Sequence, residues 1–153
     1  MTDKNPWYQD ISTPALLRHA RNTYGGAMRQ ALEEAGFEDI PGNGLYLIGG
    51  LAQGAGDAPL GQLVRELRIT KQAAGQLVDT LVSRGYLQRT VDEQDRRKLV
   101  VSLTERGQAA AEVQTQARQR IDQALLARCG QAEVDSLRHG LATLIELGRE
   151  ARD

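Results

Sequence analysis

The sequence predicts a mainly α-helical chain that carries one small antiparallel β-hairpin. Apolar residues recur at three- and four-residue steps through most of the chain, whereas residues 86–91 and 98–103 alternate apolar and polar side chains. Aromatic residues are only 4% of the composition, so Leu, Val, Ile and Ala have to fill the core. With 153 residues the chain can bury a core of its own, and we expect residues 1–153 to form a single domain.

The N-terminal third of the sequence predicts two helices. The tripeptide Ser-Thr-Pro at 12–14 indicates a helix start, with Thr13 as the capping residue and Pro14 at the first helical position. The apolar pattern then continues until Gly36, which ends the helix. After the loop 39–44, the run LYLIGGLAQ predicts a second helix, and GAGDAP predicts a plain turn.

Residues 59–89, PLGQLVRELRITKQAAGQLVDTLVSRGYLQR, predict two short helices joined by a tight turn. Thr70 can cap the second helix and Gly85 can close it in the left-handed conformation. The inward face of this helix has Ala73 or Ala74, then Leu77, Val78, Leu81 and Val82. The pattern is that of a helix-turn-helix.

The other face of the second helix carries groups suited to base edges or phosphates, namely Lys71, Gln72, Gly75, Gln76 and Asp79. A glycine inside a helix costs about 1 kcal/mol relative to alanine. Gly75 therefore predicts a close approach, either by DNA or by a neighbouring helix.

The stretch 92–107, DEQDRRKLVVSLTERG, forms the charged tip and second strand of the predicted hairpin. A helix-turn-helix followed by a hairpin is a winged helix, in which an Arg-bearing tip can enter the minor groove while the second helix occupies the major groove. We expect Asp92 and Asp95 to hold Arg97 and a nearby basic group in fixed rotamers. Thr104 can cap a long helix that ends at Cys129-Gly130, and a last helix follows.

The charge distribution favours the same region as the binding surface. The chain has a formal net charge of -1, but residues 61–106 hold nine basic and six acidic groups, a net charge of +3. The remaining residues then carry a net charge of -4. A mildly basic middle between acidic flanks is compatible with local contact to nucleic acid.

The sequence resembles the multiple antibiotic resistance regulator (MarR) family of bacterial transcription factors. The resemblance rests on ITKQAAGQLVDTLVSRGYLQR followed by DEQDRRKLVVSLTERG, because the family has a D-x-R-D-x-R wing that runs into L-T-x-x-G. Six residues match this pattern: Asp92, Asp95, Arg97, Leu103, Thr104 and Gly107.

Two departures from the family pattern affect the expected contacts. Gln94 stands where the family often has Arg, which leaves Arg96 as the preferred tip residue. Gly75-Gln76 stands where Ser or Thr followed by Arg is common, so we expect the bases read to differ. The specific part of the resemblance is residues 60–107, and the order of elements extends it to roughly 14–150.

The resemblance implies a winged helix-turn-helix at 42–103, flanked by dimerisation helices at 14–36 and 104–150. It implies a homodimeric repressor on a pseudo-palindromic operator in double-stranded DNA, and it is compatible with relief of repression by a small aromatic or anionic effector. The residues expected to contact or support contact with DNA are Thr70, Lys71, Gln72, Gly75, Gln76, Arg84, Gln94, Asp95, Arg96, Arg97 and Lys98.

Evidence for an effector site is limited to four residues. Family members often bind small aromatic acids between the dimer helices and the winged helix, and Arg18, Arg21, Tyr24 and Tyr46 are the candidates here. For each of them alone, an ordinary core or surface role is the favoured interpretation.

Other functional classes find little support in the sequence. His19, His139 and Cys129 have spacings that match no metal-ligand motif, so we expect neither a metal nor a cofactor. No nucleophile and base pair can be named from spacing, which argues against an enzyme. The alternative from another class is a winged helix that docks on protein and does not bind DNA. The polar N-terminus and the lack of an apolar run of about 18 residues predict a cytoplasmic protein.

Overall fold

The computed structural model describes residues 5–153, so the first four residues of the polar N-terminal stretch lie outside it. Over these residues the chain forms six helices and three strands. In chain order they are α1 Thr13–Glu34, α2 Gly44–Gln53, β1 Asp57–Pro59, α3 Leu60–Leu67, α4 Lys71–Ser83, β2 Leu87–Val91, β3 Leu99–Leu103, α5 Glu105–Cys129 and α6 Gln131–Glu150. The predicted class, mainly α with a small hairpin and a winged helix-turn-helix, is confirmed.

The sheet has three antiparallel strands in the order β1-β3-β2. In the hairpin, Val91 pairs with Leu99 and Leu87 with Leu103. On the other edge of β3, Ala58 pairs with Val101 and is buried. The prediction of a plain turn at GAGDAP was therefore wrong for Asp57–Pro59. A three-residue edge strand that ends in proline is too short to show an alternating pattern, which explains the miss.

The helix ends are set by short polar side chains. The N-cap of α1 is Ser12, whose Oγ accepts from the amide of Ala15 at 3.4 Å, so the prediction of Thr13 was wrong by one residue. Thr70 Oγ1 accepts from the amide of Ala73 at 3.0 Å, and it caps α4 as predicted. Gly85 closes α4 with a φ of 85°, a conformation that favours glycine.

One compact unit of the chain extends as far as Ala117, and its core joins α1 to α5 and the sheet. On the inward face of α4, Ala74, Val78 and Leu81 are buried and Leu77 and Val82 pack partly buried against the core, so Ala74 and not Ala73 belongs to this face. The hairpin contributes residues at its base, of which Leu87 and Val101 are at most 2% exposed. The core therefore anchors α4 and the hairpin together, and the tip of the hairpin lies outside it.

The buried face of α5 differs from the apolar stripe that the sequence indicates, because it includes the polar residue Gln114. The side chain of Gln114 is buried, and its Nε2 donates to the carbonyl of Leu45 at 2.9 Å. A Cβ at Gly49 would lie 2.8 Å from that Nε2. The absence of a side chain at Gly49 of α2 therefore makes room for the Gln114 amide, which ties α5 to the α2 backbone.

The second compact unit, Arg118–Asp153, contains the C-terminal part of α5 and all of α6. No residue of α6 is buried in the single chain. Five large aliphatic side chains of this unit have 41% to 56% of their surface exposed. They are Leu126 of α5 and Leu137, Leu144, Ile145 and Leu147 of α6. Such a concentration of exposed aliphatic residues is typical of a surface that is covered in an assembly.

A cluster of four side chains connects the α1–α2 loop to the base of the hairpin. The Tyr86 hydroxyl donates to Asp39 Oδ1, and Arg106 Nη2 lies 3.3 Å from the same oxygen and 3.0 Å from the tyrosine oxygen. Arg84 donates to the Asp39 carbonyl. The hydrogen bond from Tyr86, followed by the nearby Arg106, lowers the pKa of Asp39, whereas burial raises the pKa of Tyr86.

The lowered pKa of Asp39 predicts a pH-dependent contribution to stability. The contribution is present above the unfolded-state pKa of about 4 and is lost as pH falls through the lower folded-state value. We expect Asp39→Asn to destabilise the protein at pH 7, by no more than about 1 kcal/mol because the carboxylate is partly exposed. Urea unfolding at a series of pH values should show this difference shrinking below about pH 4.

Asp57→Asn is a suitable control for that measurement. It removes an exposed carboxylate for which residues 5–153 offer no side-chain hydrogen bond or ion pair. A difference between Asp39→Asn and the wild type that stays constant with pH would contradict the role assigned to the Asp39 charge.

Candidate nucleic-acid interface

The first two turns of α4 present polar side chains that the protein does not use. Lys71, Gln72 and Gln76 are exposed, and within residues 5–153 their side chains form no hydrogen bond or ion pair. Thr70 starts the helix, so its cap fixes the direction in which these side chains project. Donors and acceptors that are free and held on a rigid helix suit a partner with its own polar edges.

Gly75 lies on the same surface of α4 and is not explained by packing inside the chain. A Cβ built at Gly75 would meet no heavy atom of the described residues within 4 Å. The neighbouring-helix explanation for this glycine therefore finds no support in residues 5–153. The remaining explanation is the close approach of a partner from outside the chain.

The two aspartates of the hairpin tip, residues 92–98, shape its backbone. Asp92 Oδ1 accepts from the amide of Gln94 at 2.8 Å, and Asp95 Oδ1 accepts from the amide of Arg97 at 3.1 Å. Asp95 also pairs with Arg97, with Nε and Oδ1 3.5 Å apart, as predicted. The expectation that Asp92 holds a basic side chain was wrong, because the aspartate instead caps a backbone amide in the turn.

Three consecutive cations, Arg96, Arg97 and Lys98, extend from the tip into solvent. The Arg97 side chain is 95% exposed, even with Asp95 beside it. Arg96 and Lys98 are exposed as well, and within the described residues neither forms an ion pair. A concentrated positive charge on a well-defined turn is suited to a polyanion.

An ion pair between Arg89 of β2 and Asp79 of α4 connects the two polar surfaces. Sequence analysis assigned Asp79 to the polar face of α4 but did not identify its partner. The available signal was the two-residue period of β2, which places Arg89 on the same side of the strand as the buried Leu87. An exposed pair contributes little to stability, but this one fixes the hairpin relative to α4.

Arg84 lies apart from the other predicted contact residues. It follows the last residue of α4, roughly 20 Å along the helix from Lys71. Its guanidinium donates to the Asp39 carbonyl, so it supports the α1–α2 loop. The predicted contact residues therefore form two groups, one on the first turns of α4 and one at the hairpin tip. Arg84 belongs to neither group. The α4 group is Lys71, Gln72, Gly75 and Gln76.

Arg21 and Tyr46, two of the four residues predicted for an effector site, contact each other. The Arg21 guanidinium lies 4.2 Å from the centroid of the Tyr46 ring, in a cation–π arrangement between α1 and α2. Tyr24 is half-buried against the core, whereas Arg18 is exposed. The Arg21 guanidinium therefore covers one face of the Tyr46 ring.

Two other features are absent from residues 5–153, a metal-binding cluster and a membrane-spanning helix. No group of three or more His, Cys, Asp or Glu side chains in this part of the chain is arranged to hold a metal ion. None of its helices is long and apolar enough to cross a lipid bilayer.

Comparison with solved structures shows the same fold over nearly the whole chain. FabT of Streptococcus pneumoniae, solved in complex with DNA, is 22% identical and has a TM-score of 0.78, with 94% of this chain and 98% of that chain covered. A mutant MarR of E. coli complexed with operator DNA is 22% identical, with a TM-score of 0.69 and coverages of 92% and 99%. A probable transcriptional regulator from Pseudomonas aeruginosa is 26% identical, with a TM-score of 0.66 and coverages of 89% and 98%.

Comparison of the sequence with known proteins matches a shorter part of the chain. No curated protein matches the chain. The model of the MarR family matches residues 39–98, a span that begins at the Asp39 cluster and ends at the tip of the hairpin. This match covers the winged helix, and over these residues the chain is similar to the MarR family.

Proposed function

We propose that the chain is a sequence-specific DNA-binding transcriptional regulator. The observation that carries the proposal is that one rigid winged helix presents both an unpaired polar helix face and a cationic hairpin tip. These are the two surfaces that a winged helix uses for the major and minor grooves. The DNA complexes of FabT and of the E. coli MarR mutant, which share the fold, support the same conclusion.

In this proposal α4 reads the major groove. The amides of Gln72 and Gln76 can each form two hydrogen bonds to one base, with adenine as the preferred partner. Lys71 and the N-terminal end of the helix, at Thr70, suit a phosphate. Gly75 allows the α4 backbone to come closer to the bases than any side chain there would permit.

The hairpin tip enters the adjacent minor groove. Arg96 and Arg97 supply the charge, and Asp95 limits the rotamers of Arg97 before DNA arrives. Lys98 and Gln94 lie on either side of this pair and can reach phosphates. Arg84 remains a proposed backbone contact at the far end of α4.

We propose further that the protein acts as a homodimer in which the helices of residues 14–36 and 104–150 form the interface. The exposed aliphatic residues of α6 support this, as does Leu17 on α1, which is 38% exposed. A two-fold dimer would place its two α4 helices about one helical turn of DNA apart, on a pseudo-palindromic operator. Repression relieved by a small aromatic or anionic molecule near Arg18, Arg21, Tyr24 and Tyr46 completes the proposal.

Selection of bound duplexes from a random pool, followed by salt titration of the selected sequence, tests DNA recognition directly. We expect an inverted repeat whose binding constant falls steeply with salt, because neutralised phosphates release counterions. Sedimentation analysis of the free protein would establish the dimer independently. Weak binding that does not depend on salt, with no motif recovered, would instead indicate a winged helix that docks on protein.

Substitutions in the wing and in α4 should have different effects. Arg97→Ala is expected to weaken binding to all duplexes alike and to reduce the magnitude of the salt slope by about 1. Gln76→Ala is expected to cost about 1–3 kcal/mol on the preferred operator and to relax preference at one base pair. Affinities measured on the operator and on a scrambled duplex distinguish the two effects, with the exposed Gln108→Ala on α5 as a control. Equal losses on both duplexes for Gln76→Ala would remove the argument for base reading by α4.

Gly75→Ala should separate stability from binding. Because the new methyl group meets no neighbour, the variant is expected to be more stable by roughly 0.5–1 kcal/mol in urea unfolding. If the helix backbone approaches DNA closely, the same methyl group should lower operator affinity. Gly50→Ala on α2 is a matched control, since that position is also open and should gain stability without losing affinity. Unchanged affinity in Gly75→Ala would show that DNA does not approach at this point.

A further inference from the structure

The apolar face of the hairpin continues beyond the protein core. Directly paired residues of antiparallel strands lie on the same face, so Leu87, Arg89 and Val91 of β2 share a face with Leu103, Val101 and Leu99 of β3. At the base, Leu87, Val101 and Leu103 are between 1% and 7% exposed. Further out, Val91 is 54% exposed and its partner Leu99 is 45% exposed. We call Val91 and Leu99 the neck pair.

Cations frame the neck pair on two sides. The tip carries Arg96, Arg97 and Lys98, which follow Val91 and precede Leu99 along the chain. On the other side lies Arg89, whose ion pair with Asp79 shows that this face of the hairpin is turned towards α4. An aliphatic patch set among arginines favours a partner that is itself apolar between regularly spaced negative charges.

The sugar–phosphate strand of duplex DNA has this chemistry, since the deoxyribose carbons lie between successive phosphates. The inference rests on the proposed function. If α4 occupies the major groove and the hairpin tip the adjacent minor groove, the strand that separates the two grooves must pass the face of the hairpin turned towards α4. We propose that the neck pair packs against the deoxyribose edge of that strand and contributes affinity without contacting a phosphate.

An aliphatic cross-strand pair also stabilises a hairpin by itself. This role needs no partner, so the test has to separate it from DNA contact. At Val91, Thr keeps the β-branched shape that strands prefer and replaces a methyl group with a hydroxyl; at Leu99, Thr introduces that shape and also shortens the side chain. Val91→Thr and Leu99→Thr therefore reduce the apolar contact with little effect on the strand. Val100→Thr makes the same change on the opposite face of the hairpin and serves as the matched control.

The experiment measures binding of a fluorescein-labelled duplex, obtained by selection from a random pool, over a series of salt concentrations. The double variant Val91→Thr/Leu99→Thr is expected to bind roughly tenfold more weakly at every salt concentration. The salt slope should stay that of the wild type, because no phosphate contact is lost. Val91→Ile, which adds a methyl group to the patch, should bind at least as tightly as the wild type. Urea unfolding of each variant confirms that the hairpin is intact.

Three results would overturn the inference while leaving the proposed function in place. They are unchanged affinity of the double variant, an equal loss in Val100→Thr, and a loss that is accompanied by a shallower salt slope. The last of these would mean that the wing had moved and had lost phosphate contacts. Failure of the wild-type protein to bind any duplex in a salt-dependent manner would instead overturn the proposed function, on which the inference rests.

Discussion

The geometry of α4 and the hairpin is set by a backbone junction at which the end of α4 meets the start of α5. The amide of Thr104 donates to the Tyr86 carbonyl at 3.1 Å, and its hydroxyl donates to the Gly85 carbonyl. The same hydroxyl oxygen accepts from the amide of Gly107 at 3.1 Å. No larger residue fits at Gly107, since a Cβ there would lie 2.1 Å from the Tyr86 carbonyl oxygen. The two ends of the hairpin are thereby fixed to each other and to α4.

Two further ties connect this junction to the N-terminal helices. The Asp39 cluster joins the loop after α1 to Tyr86 and Arg106, on either side of the junction. Gln114 attaches α5 to the backbone of α2, and its Oε1 has no hydrogen-bond partner among residues 5–153. A buried acceptor without a partner is costly, so the contact between α2 and α5 is less favourable than the apolar packing around it.

The local signals in the sequence were sufficient for most of the fold. Thr70, Gly85 and Thr104 act within a few residues of their own positions, so their capping roles could be predicted without knowledge of the tertiary structure. The pairings that were missed connect residues far apart in sequence. Arg89 with Asp79 and Gln114 with Leu45 are separated by 10 and 69 positions, and no periodicity encodes which polar groups will meet. Strand β1 was missed for a similar reason. It is a strand because it pairs with β3, and its own three residues show no strand pattern.

Parts of the candidate DNA-binding surface depart from local sequence preference. A helix interior gains from alanine, yet α4 has Gly75, and an exposed hairpin gains from polar residues, yet the neck has Val91 and Leu99. A Cβ at Gly75 would meet no neighbour, and the neck pair leaves apolar surface exposed to solvent. The same reasoning applies to α6, whose aliphatic residues find no partner within their own unit. Gly75, the neck pair and α6 thus mark the three surfaces at which we propose that other molecules bind: the bases at α4, the DNA strand at the neck pair and a second copy of the chain at α6.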